Sequence, residues 1–144
     1  MTIGISKITN QFEGKSITTL EYDGRPCWVA REIGAAMGYV DDGKRLVTRI
    51  RGEWSSELIV GKDYKLVQGK ELAEFRAFFK GTDSVPLKSN RGFILLFESG
   101  IHLACLKTNK PIGRRLRRFI VDEVLPRYRP DGLVQSREAA KIGF

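Results

Sequence analysis

The sequence predicts an α+β fold: a small N-terminal antiparallel β-meander packed with several short helices. Three observations carry that expectation. Short β-prone runs near the N-terminus are separated by two-residue turn signals, two short helical patterns follow them, and a proline-started amphipathic helix rich in arginine stands near the C-terminus.

The meander comes from residues 8–12, 16–22 and 26–29, separated by Glu13-Gly14 and Asp23-Gly24. Asp-Gly between apolar runs is a strong hairpin signal, because both positions tolerate positive φ. Residues 30–37 then predict a short helix in which Val29, Ile33, Ala36 and Met37 recur at helical spacing and Gly38 ends the run. Asp41 or Asp42 is expected to cap a second helix through about Arg51. Leu46, Val47 and Ile50 would face inward on it, leaving Lys44, Arg45, Thr48 and Arg49 outward. Two short helices joined in this way resemble a helix-turn-helix, whose second helix can lie in a major groove. The other reading is two amphipathic helices packed on the meander with merely solvated polar faces.

Residues 58–60 and 64–67 are candidate strands, and residues 71–80 predict a helix carrying Leu72, Phe75, Phe78 and Phe79. Aromatics at helical spacing belong to a core more often than to a base-stacking platform. Residues 81–92 are polar and proline-bearing, a loop in which Lys88 and Arg91 are able to touch phosphate. The apolar run 93–97 reads as a buried strand. A helix follows through about Lys107, with Ser99 as its cap and Ile101, Leu103, Ala104 and Leu106 as its apolar positions.

Pro111 suits the first turn of the next helix, where its missing N–H is not needed, and Pro126 marks its stop. At ~100° per residue, Ile112, Leu116, Phe119, Ile120 and Val124 share one face, and Arg114, Arg115, Arg117 and Arg118 occupy the other, with Val121 close to the arginine arc. A basic face of this kind is often only solvated, but such crowding repels itself unless a polyanion is expected. Asp122 and Glu123 are the nearby neutralisers. Lys107 and Lys110 extend the basic run, and Arg127 and Arg129 follow it.

Charge follows the same division. The 144 residues carry a net charge of +8. Residues 1–90 hold 14 Lys+Arg against 12 Asp+Glu, whereas residues 91–144 hold 11 against 5. The positive charge is thus concentrated around the arginine helix, which favours a nucleic-acid or acidic-membrane partner. The length suits one domain over residues 1–132, with 52–96 as an elaboration and 133–144 as a tail or linker. Cys27 and Cys105 are too few and too isolated for a disulfide framework or a four-ligand zinc site, so both are expected reduced, in a cytoplasmic setting. No segment reads as a secretory signal or a membrane span.

Catalytic chemistry is not expected. Ser99 lies one turn before His102, the single histidine, but no strained nucleophile turn, oxyanion donor or orienting acid accompanies the pair. The stretch 61–70, GKDYKLVQGK, has the wrong glycine spacing for a phosphate loop and lacks its final Ser or Thr. Neither a metal cluster nor a dinucleotide fingerprint is present, so no cofactor is expected.

A set of residues spread along the chain goes further. Phe12 and Ile17, Asp23-Gly24 with Pro26, Trp28, Val29 and Ala30, and the run IGAAMGY from Ile33 to Tyr39 are followed by Glu98-Ser99-Gly100, Pro111, Phe119, the run EVLP from Glu123 to Pro126, Arg129 and Gly132. In this combination the chain resembles the N-terminal domain of the BRO family (named for baculovirus repeated ORFs), shared with bacteriophage and prophage antirepressors. Glu32 stands where that family usually has aspartate, Gly113 where alanine is common and Ile120 where tryptophan is common, and residues 52–96 are longer than the usual connection.

The resemblance implies a DNA-binding α+β domain acting in transcription regulation in a bacterial host. Arg114, Arg115, Arg117 and Arg118, with Lys107 and Lys110, would contact phosphates of double-stranded DNA, while Lys44, Arg45 and Arg49 would reach a groove or add backbone contacts. The alternative is a protein-binding antirepressor that sequesters a phage repressor without itself binding DNA. No heptad seam argues for a homo-oligomer, and the sequence leaves that state open.

Overall fold

The computed structural model describes residues 8–78 and 92–127. Of the loop predicted at 81–92 only Gly92 is described; the rest of it, with Lys88 and Arg91, and likewise Phe79, Lys80, Arg129, Gly132 and the tail at 133–144, lie outside the described residues.

Two tight turns set the sheet. Strands β1 (Ile8–Phe12), β2 (Lys15–Tyr22) and β3 (Arg25–Val29) are joined by Glu13-Gly14 and Asp23-Gly24. All four loop residues have positive φ, 48° and 83° in the first turn and 54° and 77° in the second. That is the type I′ geometry whose twist matches the flanking strands. Phe12 pairs with Lys15 and Tyr22 with Arg25 to close the hairpins.

The meander is one part of a larger sheet. Strands β4 (Tyr64–Val67) and β5 (Phe93–Phe97) complete a five-stranded order β1-β2-β3-β5-β4, antiparallel at every pairing. β5 therefore sits between β3 and β4, which run parallel without touching. All five residues of β5 are buried, as a strand covered on both faces requires.

The helices are α1 (Ala30–Ala36), α2 (Lys44–Arg51), α3 (Gly69–Phe78), α4 (Glu98–Thr108) and α5 (Pro111–Phe119). Alternation along the strands sends their side chains into two cores. Ile17, Trp28, Ile94 and Leu96 meet Ile33, Leu46, Ile50, Ile101 and Leu116 on the face that holds α1, α2, α4 and α5. Leu20, Cys27, Val29, Leu95 and Phe97 meet Leu72 and Phe75 of α3 on the other. The region 52–96 thus supplies an edge strand, a central strand and the helix that covers the second face.

Several local expectations are corrected. Neither Asp41 nor Asp42 caps α2. Its N-cap is Gly43 without a side-chain hydrogen bond, and Asp41, Asp42 and Gly43 are all left-handed, at 58°, 54° and 83°. This winding returns the chain across α1 so closely that a Cβ on Gly43 would lie 2.0 Å from the Arg31 carbonyl oxygen. Residues 58–60 form no strand; only Val60 bridges to Tyr64. The helix expected from residue 71 begins at Gly69.

Ser99 does not cap α4, whose N-cap is Phe97. Its hydroxyl donates to buried Asp63 Oδ1 at 2.5 Å, while Asp63 Oδ2 accepts the Ile59 N–H at 2.8 Å. A Cβ on Gly100 would lie 1.9 Å from the Asp63 carbonyl oxygen. The Ser-Gly pair is therefore a latch that binds the 59–63 turn to α4. Pro126 likewise does not end an α-helix: α-helical winding stops at Phe119, a π-helical turn covers Ile120–Val124, and Pro126 sits in the 3₁₀ turn Leu125–Arg127.

Glu32 ties α1 to the sheet. Where β3 has already turned into α1, its carboxylate accepts the Thr18 N–H at 2.5 Å and the Thr18 hydroxyl at 3.1 Å.

Candidate nucleic-acid interface

The site is built from two basic groups that are far apart in sequence. On α2, burial of Leu46 and Ile50 leaves Lys44, Arg45 and Thr48 exposed, as the helical period demands. Arg49 departs from expectation. It is half-buried, pairs with Glu53 one turn later, and its guanidinium stands 5.8 Å from the centre of the Tyr39 ring.

Tyr39 joins this group to the second one. Lys110, just before α5, places its Nζ 5.5 Å from the same ring, within the range of cation–π attraction. The Tyr39 hydroxyl is fixed 2.9 Å from Thr108 Oγ1, and Thr108 in turn donates to the Ala104 carbonyl at 2.8 Å. One half-buried ring thus holds the α1–α2 connection against the α4–α5 connection, with a cation from each side over it.

α5 begins at Pro111 and buries Gly113 and Leu116, with Ile112 and Phe119 half-buried beside them. Arg114, Arg115, Arg117 and Arg118 are all exposed and spread over the outer half of the helix at ~100° per residue. Arg117 lies toward α4, where its charge acts on His102 and Cys105. Arg115 lies toward the β1–β2 turn and makes a two-pronged pair with Glu13, at 2.7 and 3.2 Å. That hydrogen bond first, then the charge, lowers the Glu13 pKa and raises that of Arg115. Phe12 and Phe119 pack beneath the contact with ring centres 5.2 Å apart.

Four of the nine predicted contact residues carry a carboxylate partner. Besides Arg49 with Glu53 and Arg115 with Glu13, Lys107 meets Glu57 at 2.5 Å and Arg118 meets Asp122 at 2.8 Å. Lys44, Arg45, Lys110, Arg114 and Arg117 have no ion-pair partner among the described residues. Sequence spacing exposes two of these pairs, Arg49–Glu53 and Arg118–Asp122, as i,i+4 neighbours. The bridges to Glu13 and Glu57 span folds of the chain and leave no local signal. Tyr39 was equally hidden as a hub, since its three partners come from α2, α4 and the α4–α5 junction.

Other groups are placed away from chemistry. Ser99 is committed to Asp63, so it forms no pair with His102. Burial first, then the nearby Arg117, lowers the His102 pKa against the opposing pull of Glu98. Burial also pushes the Cys105 thiol up to about 12 and raises that of Cys27, which leaves both protonated. Arg25 is separate from the basic surface: it lies 3.7 Å from the Phe97 ring centre and donates to the Gly61 carbonyl at 3.2 Å, beside a depression of about 230 Å³ that Lys62 and Ser99 also line. Among the described residues no group of three or more His, Cys, Asp or Glu is placed to hold a metal ion, and no helix is long and apolar enough to cross a membrane.

Comparison of the chain with family models, with curated proteins and with solved structures found no match in any of the three.

Proposed function

We propose that this chain is a duplex-DNA-binding module of the BRO type, with α5 contacting phosphates and α2 adding groove or backbone contacts. The observation that carries the reading is the Tyr39 junction, which brings Arg49 of α2 and Lys110 of the α5 start over one ring. Two basic groups thereby become one surface, and clustered cations of this kind are what neutralise the phosphates of a duplex. Phosphate contacts set orientation, and base edges in a groove supply sequence preference. The exposed Lys44 and Arg45 on α2 are the residues assigned to the second role.

Salt dependence tests the proposal. The five predicted contact cations that have no carboxylate partner among the described residues, each displacing ~0.9 counterion from duplex DNA, give a slope of the logarithm of affinity on the logarithm of salt near −4 to −5. Anisotropy titrations of random and operator-derived duplexes at several salt concentrations measure it. Replacing Arg114 and Arg117 with alanine is expected to weaken all duplexes alike and to flatten the slope by about 2, whereas replacing Lys44 and Arg45 narrows the difference between cognate and random DNA. A flat response, or no duplex binding at low salt, refutes the proposal. The protein-binding alternative then stands, and co-purification with a phage repressor tests it.

A further inference from the structure

The turn between α2 and β4 carries two carboxylates whose placement is not needed to hold the fold. Residues 52–58 are wound tightly: the Trp54 N–H donates to the Arg49 carbonyl at 2.9 Å and the Leu58 N–H to the Trp54 carbonyl at 3.1 Å. Trp54 and Leu58 are spaced four apart and both are buried in the larger core. The same spacing fixes Glu53 and Glu57 on the exposed side. Glu53 reaches back to Arg49 of α2, and Glu57 reaches across to Lys107 of α4 at 2.5 Å. Both glutamates keep more than half of their side-chain surface in solvent, at 56% and 51%. Exposed ion pairs of this kind add little to stability. Two carboxylates paired with two cations of a basic surface nevertheless change what that surface offers to a polyanion.

We propose that Glu53 and Glu57 form an acidic clasp that competes with nucleic-acid phosphate for Arg49 and Lys107, and so holds down indiscriminate binding to duplex. The inference rests on the duplex-binding reading above and concerns the regulation of that same surface. A phosphate that engages Arg49 or Lys107 must displace a carboxylate already in place, and the displaced carboxylate stays close by as a like charge. The competition acts alike on every duplex, so non-specific binding, which depends on phosphate contacts alone, loses the largest share of its affinity. The Arg49 Nε is buried without a hydrogen-bond partner among the described residues, so its present contacts do not satisfy the whole guanidinium.

The test is a set of charge-neutralising variants, Glu53→Gln, Glu57→Gln and the double variant, measured beside wild type on a random duplex by anisotropy across a salt series. Glu74→Gln is the control. It removes one negative charge from α3, on the opposite side of the sheet, and so separates a local effect from a change in net charge. Each clasp variant is expected to bind about two- to fivefold more tightly, and the double variant about tenfold. The double variant's salt slope is expected to steepen toward about −6, since two more cations displace counterions. Unchanged or weaker binding by the double variant, or an equal gain in Glu74→Gln, overturns the clasp while leaving duplex binding intact. Absence of binding by wild type and every variant at the lowest salt removes the duplex reading itself, and the clasp with it. Thermal melts accompany the titrations; the exposed positions are expected to leave the melting temperature within about 2 °C of wild type.

Discussion

Gly113→Ala sets two effects of known size against each other. Alanine is the better helix former by up to ~1 kcal/mol, and by less here, because Gly113 lies in the first turn after Pro111. Against this stands a backbone contact: a Cβ at position 113 would lie 2.5 Å from the Cys105 carbonyl oxygen and 3.5 Å from Thr108 Cβ. The obstacle is α4's main chain, which cannot turn aside as a side chain would. Restoring van der Waals distance requires α4 and α5 to part by about 1 Å, which loosens Leu116, fully buried under α5. Overpacking of this kind costs ~1–3 kcal/mol. The clash therefore wins, and the variant is expected to be less stable by ~1–2 kcal/mol, with a melting temperature lower by about 3–8 °C. Urea denaturation with a thermal melt measures both. A variant as stable as wild type, or more stable, would mean that α4 and α5 do not approach this closely.

Two further outcomes follow from buried or half-buried groups. Ser99 and Asp63 form one latch, so a double-mutant cycle of Ser99→Ala and Asp63→Ala by urea denaturation is expected to give a coupling energy of ~1–2 kcal/mol; additive effects would show that the two side chains do not support each other. His102 has a pKa held below its ordinary value of 6.5, by burial first and Arg117 second. The unfolded chain therefore takes the proton first, and stability is full above about pH 6.5 and falls as the pH drops from there toward the folded-state value. His102→Gln is expected to lose that part of the pH dependence, as followed by melting temperature between pH 7 and 5, and an unaltered profile would contradict the assignment.

Legibility followed the range of the interactions. The two hairpins were readable because Glu13-Gly14 and Asp23-Gly24 specify their own backbone geometry. The start of α5 was readable because Pro111 suits a helix's first turn, and its inward face followed from the helical period. Val121 was correctly placed at the edge of the arginine arc; it is 41% exposed. The misreadings lie where a local signal met a tertiary demand. Asp41 and Asp42 have the chemistry of caps, but the close approach of Gly43 to α1 draws them into a left-handed turn. Leu106 has the spacing of a core residue, yet it is 54% exposed, because α4 turns Ile101, Ala104 and Cys105 inward instead.

The sequence by itself determined the α+β class, the meander, the existence of the main helices and the list of basic residues, since each depends on neighbours within a turn or a hairpin. Tertiary structure alone decided that β5 enters between β3 and β4, and that α3 covers one face of the sheet while the other helices cover the opposite one. It also decided which cations carry a carboxylate and which do not. Tyr39 meeting Thr108, and Glu57 meeting Lys107, join residues that only chain folding brings together, and local pattern has no means of encoding such pairs.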